Sequence, residues 1–201
     1  GEHYLDDGYA YVAVDGGEIK GYLLYHLDGK SFLIDEMVYD TYEIYRKWMG
    51  FIRDHSSQME NVVWNAPSND KLFLELSDSR SKVSLNPHVM LRICDVQSFI
   101  TALGISCDLS EKATVRIEDA YAPWNNKTFL FKSYKGVLAT EPVNEPGECR
   151  CSIGVFTQMT MGYLTPCQAY RQNKIQVADE RVLNILKRIF SQKYTMVHEI
   201  Y

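Results

Sequence analysis

The stretch Asp119-Ala120-Tyr121-Ala122-Pro123-Trp124-Asn125-Asn126-Lys127-Thr128-Phe129 decides how the second half of the chain is read. Pro123 fixes φ and asparagine tolerates left-handed backbone, so A-P-W-N is a tight connection rather than part of a helix or strand. β-rich runs flank it at 113–118 and 128–133, and these are predicted as two strands joined through 120–126. Trp124 is read as the packed anchor of that turn.

Toward the C-terminus, Tyr134-Lys135-Gly136 is a turn and residues 137–140 a third strand. Residues 141–147, EPVNEPG, carry two prolines and read as a loop. Residues 149–153 alternate as a fourth strand, and three helices follow. The first, 155–161, stops at Gly162. Thr165 caps the second, with Pro166 at its first position. Asp179 opens the third, which has Val182, Leu183, Leu186, Ile189 and Phe190 on one face. Its Lys187 and Arg188 sit where the helix dipole favours cations. Residues 191–201 form a tail.

Toward the N-terminus, residues 96–103 read as a helix closed by Gly104, and 89–94 as a strand. A seam between two domains is expected over 87–104. The first forty residues read as a β-meander, with strands over 9–14, 18–27 and 31–39 separated by Asp15-Gly16-Gly17 and Asp28-Gly29. The period then changes. Ile44, Trp48, Phe51, Ile52 and His55 recur at three-to-four spacing, which marks an amphipathic helix with a capping-box-like start at Asp40 and Glu43. Residues 61–64 are a short strand, 69–76 a helix and 77–86 a polar loop.

Composition narrows the function classes. The chain has 201 residues, 46% of them apolar and 23% charged, which is ordinary globular usage and excludes disordered or collagenous classes. The net charge of −5 makes it a poor nucleic-acid binder, because such proteins need a basic face to displace counterions. Fourteen tyrosines could suggest base stacking, but Lys and Arg do not cluster into a groove, so the aromatics are read as packing. The longest apolar run, residues 9–14, is far short of the roughly 20 that span a membrane. Five cysteines form no disulfide framework and read as reduced thiols of a cytoplasmic protein. The initial Gly is read as the scar of a truncation.

No phosphate-cradling motif is present: neither GxxxxGK[ST], nor GxGxxG, nor the Arg/Gln-x-x-Gly-x-Gly/Ala loop with which acetyltransferases hold pyrophosphate. The nearest approach, residues 46–50, falls inside a predicted helix. Cys149 and Cys151 share one strand face, but without a second pair or a nearby His they lack the ligands of a zinc site and read as packing. Cys94, Cys107 and Cys167 are read the same way. His3, His26, His55, His88 and His198 fall in no catalytic motif, and His55 is read as helix-end packing. Asp35 and Glu36 are adjacent on a strand, so they are expected on opposite faces and not as a convergent acid/base pair. Arg92, within a strand pattern, calls for a carboxylate partner, as a structural ion pair or as a substrate contact.

Three stretches together resemble the Eis-like ("enhanced intracellular survival") GNAT acetyltransferases. Val89-Met90-Leu91-Arg92-Ile93-Cys94-Asp95-Val96 is similar to that family's M-x-R-I-x-D-V segment, residues 119–129 to its D-x-x-A-P-W-N turn, and residues 158–166 to its L-x-x-G-Y-x-S/T helix end. Residues 60–67, ENVVWNAP, and the pattern before them resemble its second GNAT-like domain. The resemblance implies an α+β chain: a mixed or antiparallel GNAT-like sheet with helices over 1–95, followed by a sterol-carrier-like αβ domain over 96–201. It implies a C-terminal portion without a cofactor site, whose parent protein moves acetyl from acetyl-CoA to primary amines, such as those of aminoglycosides. The missing N-terminal GNAT domain and a small cationic amine are the implied partners, with no nucleic acid or membrane, and homo-oligomers are possible.

The resemblance also implies that the α-carboxylate of Tyr201 reaches the active site of the parent as its base. Such a group has a pKa of about 3.5 and is ionised at neutral pH. Glu199 and Arg92 are the candidates for substrate contact, and no metal or cofactor residue is expected in this chain. Tyr rather than Phe at the end departs from the family pattern. A competing reading is a non-enzymatic lipid carrier, with Val155, Phe156, Met159, Met161 and Leu164 lining an apolar tunnel.

Overall fold

Short apolar runs broken by glycine turns build the first part of the computed structural model, which describes residues 8–67, 70, 74–76, 81–85 and 90–190. The chain is α+β with mixed sheets and divides between Lys71 and Leu72 into two units. In the first, β1 (Gly8–Asp15), β2 (Glu18–Asp28) and β3 (Ser31–Tyr39) form an antiparallel meander. Gly16, Gly17 and Gly29 take the positive φ its hairpins need. The helix α1 (Tyr42–Asp54) then carries the chain across to β4 (Asn61–Trp64), which runs parallel to β3 and completes the order β1-β2-β3-β4.

The helix cap is Thr41 rather than Asp40: its Oγ1 accepts from the Ile44 N–H at 3.4 Å. The Asp40 N–H donates instead to the Lys20 carbonyl at 3.0 Å, just past the end of β3. Buried Ile44, Tyr45, Trp48 and Ile52 face the sheet. Tyr25 stacks on Phe32 with ring centroids 4.3 Å apart and meets Phe51 edge-on. Burial, followed by the neighbouring Tyr11, pushes the Tyr25 hydroxyl up to about 12. The close approach of helix and sheet requires Gly21, where a Cβ would lie 2.3 Å from the Val38 carbonyl oxygen and 3.2 Å from Ile44 Cγ2.

The second unit opens with α2 (Val96–Leu103), capped by the Asp95 side chain and closed by Gly104 in the left-handed region. Strands β5 (Ala113–Glu118), β6 (Thr128–Tyr134), β7 (Val137–Val143), β8 (Cys149–Ser152) and β9 (Ile175–Val177) form a sheet of order β7-β6-β5-β8-β9. Only the β5–β8 pair is parallel, closed by the crossover after β7. Helices α3 (Ile153–Thr160), α4 (Pro166–Arg171) and α5 (Glu180–Ile189) complete it. Thr165 forms a full capping box with Gln168. Phe156 fills the centre, with ring centroids 5.9 Å from Phe131 and 5.6 Å from Phe190.

Four expectations are corrected. β7 runs on through Pro142 to Val143, because as an edge strand it can hold a proline with no N–H to give. Ile153 starts α3 instead of ending β8, since Ser152 caps the helix there. β9 was not expected: three residues with Gln176 in the middle carry too little alternation to read as a strand. Residues 90–94 are not a strand, because side chains and not a ladder take up their backbone groups (below). The helix expected over 69–76 lies largely outside the described residues.

Two variants test this packing. Gly21→Ala should lower stability by about 1–3 kcal/mol, read as the urea midpoint of the 201-residue chain. Thr140 is buried on β7 and its Oγ1 finds no hydrogen-bond partner among the described residues. Thr140→Val should therefore raise stability by about 1 kcal/mol in the same measurement.

Candidate functional site

The A-P-W-N connection is built around one carboxylate. Asp119 follows β5 directly, and its side chain is fully buried. Its Oδ1 accepts from the backbone N–H groups of Tyr121 at 3.0 Å and Ala122 at 3.1 Å, which folds the chain back into the turn. Asn125 Nδ2 donates to Oδ2 at 3.2 Å, and Arg92 Nη2 donates to both oxygens at 2.6 and 2.8 Å. Burial alone would raise the carboxyl pKa, but the hydrogen bonds from Asn125, Arg92 and the two amides outweigh it and hold Asp119 below its ordinary range.

The same turn grips residues 92–96. Asn125 Oδ1 accepts from the Val96 N–H at 3.1 Å, while its Nδ2 donates to the Cys94 carbonyl at 3.0 Å. Trp124 Nε1 donates to that carbonyl at 2.8 Å. The Ile93 N–H donates to Thr157 Oγ1 on α3 at 3.3 Å. Trp124 thus anchors the turn by its N–H while its ring stays 56% exposed. The Arg92 side chain is 43% exposed beyond its ion pair and lies over the Tyr121 ring at 5.8 Å. Every polar atom of Asp119 and Asn125 is occupied, so the chemistry of this node is holding, with no group left to move a proton.

The other candidates divide. Cys149 and Cys151 are buried on one strand face; a hydrogen bond with Cys149, together with burial, holds the Cys151 thiol well above its usual value, the state of an unreactive packing cysteine. Among the described residues no group of three or more His, Cys, Asp or Glu could hold a metal ion. His55 Nδ1 bonds with the Phe51 carbonyl at 2.9 Å at the end of α1. His3, His88, His198, Glu199 and Tyr201 lie outside the described residues.

Asp35 and Glu36 require a correction. Leu24 pairs with Glu36 but Tyr25 with Ile34, so Asp35 is the extra residue of a β-bulge. The bulge breaks the alternation and turns both carboxylates toward one face of β2. Asp35 Oδ2 meets His26 Nδ1 at 2.9 Å, and Glu36 accepts from the Tyr22 hydroxyl. A one-residue insertion in a ladder leaves no mark in the sequence, so strict alternation gave the wrong face.

The surface of the second unit bears an open cleft of about 770 Å³ between Leu109, Leu130, Glu145 and Arg181. Arg181 crosses it to pair with Glu148 and, at 3.5 Å, with Glu111. Glu148 in turn accepts from the Thr114 N–H at 2.9 Å. Its charged groups are already paired with one another across walls that also carry Leu109, Leu130 and Pro146. Phe156, Met159 and Leu164, three of the five residues expected to line a lipid tunnel, are buried in the core of the second unit, while Val155 and Met161 are half-buried. Among the described residues no helix is long and apolar enough to cross a membrane.

The strand order and the Asp119 turn can now be set beside known proteins. Residues 96–197, half of the chain, match the sterol carrier protein domain. The chain belongs to the sterol carrier protein domain family. Ahead of that domain, residues 2–93 match the acetyltransferase (GNAT) domain. No curated protein matches the chain. Among solved structures, a GCN5-related N-acetyltransferase from Anabaena variabilis superposes with a TM-score of 0.80 at 22% identity, over 94% of this chain and 50% of its own. A conserved protein from Enterococcus faecalis, described as a probable N-acyltransferase, gives 0.72 at 24% identity, over 88% and 44%. Eis1 from Mycobacterium abscessus gives 0.68 at 16% identity, over 90% and 48%. At these identities the likeness is one of fold, and the chain spans about half the length of each.

The Asp119 node sets a pH dependence for the sterol carrier domain. A carboxyl whose pKa is depressed in the folded state adds stability that is present above its unfolded value, about 4, and is lost as pH falls through the folded value. Asp119→Asn should cost about 2 kcal/mol at neutral pH and flatten the fall in stability below about pH 4. Urea midpoints of both proteins measured from pH 7 to pH 2 provide the check.

Proposed function

We propose that this chain is the C-terminal, cofactor-free part of an Eis-like GNAT N-acetyltransferase that moves acetyl from acetyl-CoA to primary amines of a cationic substrate. The observation that carries the reading is the order of the two units, GNAT then sterol carrier, in a fold that follows 94% of this chain along half of an N-acetyltransferase. Acetyl-CoA belongs to the other half. The only stretch resembling a pyrophosphate loop, residues 46–50, lies inside α1, where its amides are committed to the helix.

On this reading the tail supplies the chemistry. The α-carboxylate of Tyr201 is ionised at neutral pH and can hold an ammonium or accept its proton as the amine attacks. Glu199 adds a second negative charge near it, and Arg92, tied to Asp119, contributes at most its exposed edge. The net charge of −5 favours the approach of a cationic amine. The reading sets the protein in the cytoplasm, with the N-terminal GNAT half of the same polypeptide as its partner.

The test uses the protein encoded by the complete reading frame. Acetyl-CoA turnover with a panel of primary amines should be present there and absent from the 201-residue chain. Deleting residues 195–201 should lower kcat about 10²-fold or more while the protein stays folded. Turnover by the 201-residue chain alone, or a kcat indifferent to the deletion, overturns the reading.

A further inference from the structure

The Asp119 turn is saturated inside and open outside. Met90 is 99% exposed and Tyr121 87%, with Leu91 and Trp124 about half exposed. The two rings belong to one patch, because both are tied to a single stretch of backbone. Trp124 Nε1 donates to the Cys94 carbonyl at 2.8 Å, and the Arg92 guanidinium lies over the Tyr121 ring at 5.8 Å. Solitary exposed apolar residues need no explanation, but Trp, Tyr, Met and Arg held together on a rigid turn have the composition of an interface anchor.

Arg92 is the only charged residue in 90–94 and 121–124, and it is half used. Both of its bonds to Asp119 run from Nη2. Among the described residues its Nε and Nη1 have no hydrogen-bond partner, and its side chain is partly exposed. A guanidinium carries five donors in a planar fork that matches a carboxylate. The free edge of Arg92, set beside exposed aromatic rings, is therefore shaped for a second carboxylate flanked by apolar side chains.

The chain carries such a segment within reach. Phe190, which closes α5, and Ile93 belong to the same core. Phe190 packs on Phe156 of α3, and the next residue of that helix, Thr157, accepts the Ile93 N–H. Residues 191–201, SQKYTMVHEIY, lie outside the described residues and start from that point. The stretch from Phe190 to Glu199 can span up to about 30 Å. Glu199 is the only acidic side chain of the segment, and Tyr194, Met196, Val197 and Ile200 surround it with apolar groups. A second copy seated patch to patch would instead set Arg92 against Arg92 and offer neither a carboxylate.

We propose that residues 191–201 dock on this patch, with the Glu199 carboxylate held by the free edge of Arg92 and the apolar side chains beside it laid over Tyr121 and Trp124. Arg92 is then a positioning residue: Asp119 fixes its inner edge and Glu199 takes its outer one. The tether confines a segment that would otherwise sample many positions and so raises its effective concentration at one place. Its consequence for catalysis rests on the reading given above, in which Tyr201, two residues beyond Glu199, supplies the base.

Hydrogen–deuterium exchange resolved to single amides tests it in the 201-residue chain. The amides of residues 194–200 should exchange at least about 10-fold more slowly than in an unstructured peptide of the same sequence. Glu199→Gln should return them to the peptide rate, while Glu199→Asp, which keeps the carboxylate, should retain most of the protection. Arg92→Lys keeps a charge for Asp119 but loses the fork; it should also free the segment, and the double variant with Glu199→Gln should exchange no faster than either single one. Exchange at the peptide rate in the unaltered chain overturns the proposal. Protection that survives Glu199→Gln does so too, as does protection that grows with chain concentration, which would make a second copy the occupant. Protection found only in the protein of the complete reading frame would make the upstream half the occupant, and is equally fatal. Acetyl transfer by that longer protein separates the two claims. A held segment without turnover sinks the activity and leaves the tether standing, whereas turnover with a freely exchanging segment sinks the tether alone.

Discussion

A carboxylate buried without partners is among the most costly groups a protein can contain, and the second unit is organised so that Asp119 is never in that state. Two backbone amides, one amide side chain and one guanidinium converge on it, and they come from different parts of the chain. The first pair shapes the turn between β5 and β6. The Asn125 side chain passes the constraint on to Cys94 and Val96, and so to the start of α2. Ile93 continues it to α3 through Thr157. A single desolvated charge thus fixes the entry of the chain into the unit, the join of two central strands and one helix of the opposite layer. Removing any donor leaves the others facing an uncompensated charge, which is why the node behaves as a unit and not as separate bonds.

Much of this fold was legible in the sequence, and the reason differs by element. Hairpins announced themselves through Gly16, Gly17, Gly29 and Gly136, which occupy conformations other residues avoid. Helix boundaries at Thr165 and Asp179 followed from short polar side chains that satisfy free amides. What could not be read depended on partners far away in the chain. Residues 90–94 have the apolar pattern of a strand, but Asn125 and Trp124, some thirty positions on, both claim the Cys94 carbonyl. β9 is a strand only because β8 offers it an edge. Asp35 reaches the same face as Glu36 because of a bulge that propensity does not encode.

The candidate site was legible in a different sense. The residues of the Asp119 turn stood out, and the expected carboxylate partner of Arg92 proved to be Asp119 itself. The role was the harder part, because a motif that resembles a family signature carries that resemblance whether it catalyses or holds. Here the hydrogen-bond inventory decides it. Asp119 and Asn125 have no valence left for a substrate, and the Arg181–Glu148–Thr114 network in the cleft is likewise closed on itself.

That closure bears on where reactivity in such a protein can reside. Phe156 lies buried at the centre of the core, the Cys151 thiol of β8 is held well above its usual value, and Asp119 and Asn125 satisfy one another. Among the described residues, β1 and apolar side chains on the face that α1 does not cover stay exposed. The Asp119 node is suited to holding its neighbouring elements at fixed positions, since its buried charge is already fully hydrogen-bonded. The first unit is the complement of this, with one face finished by α1 and the other left open.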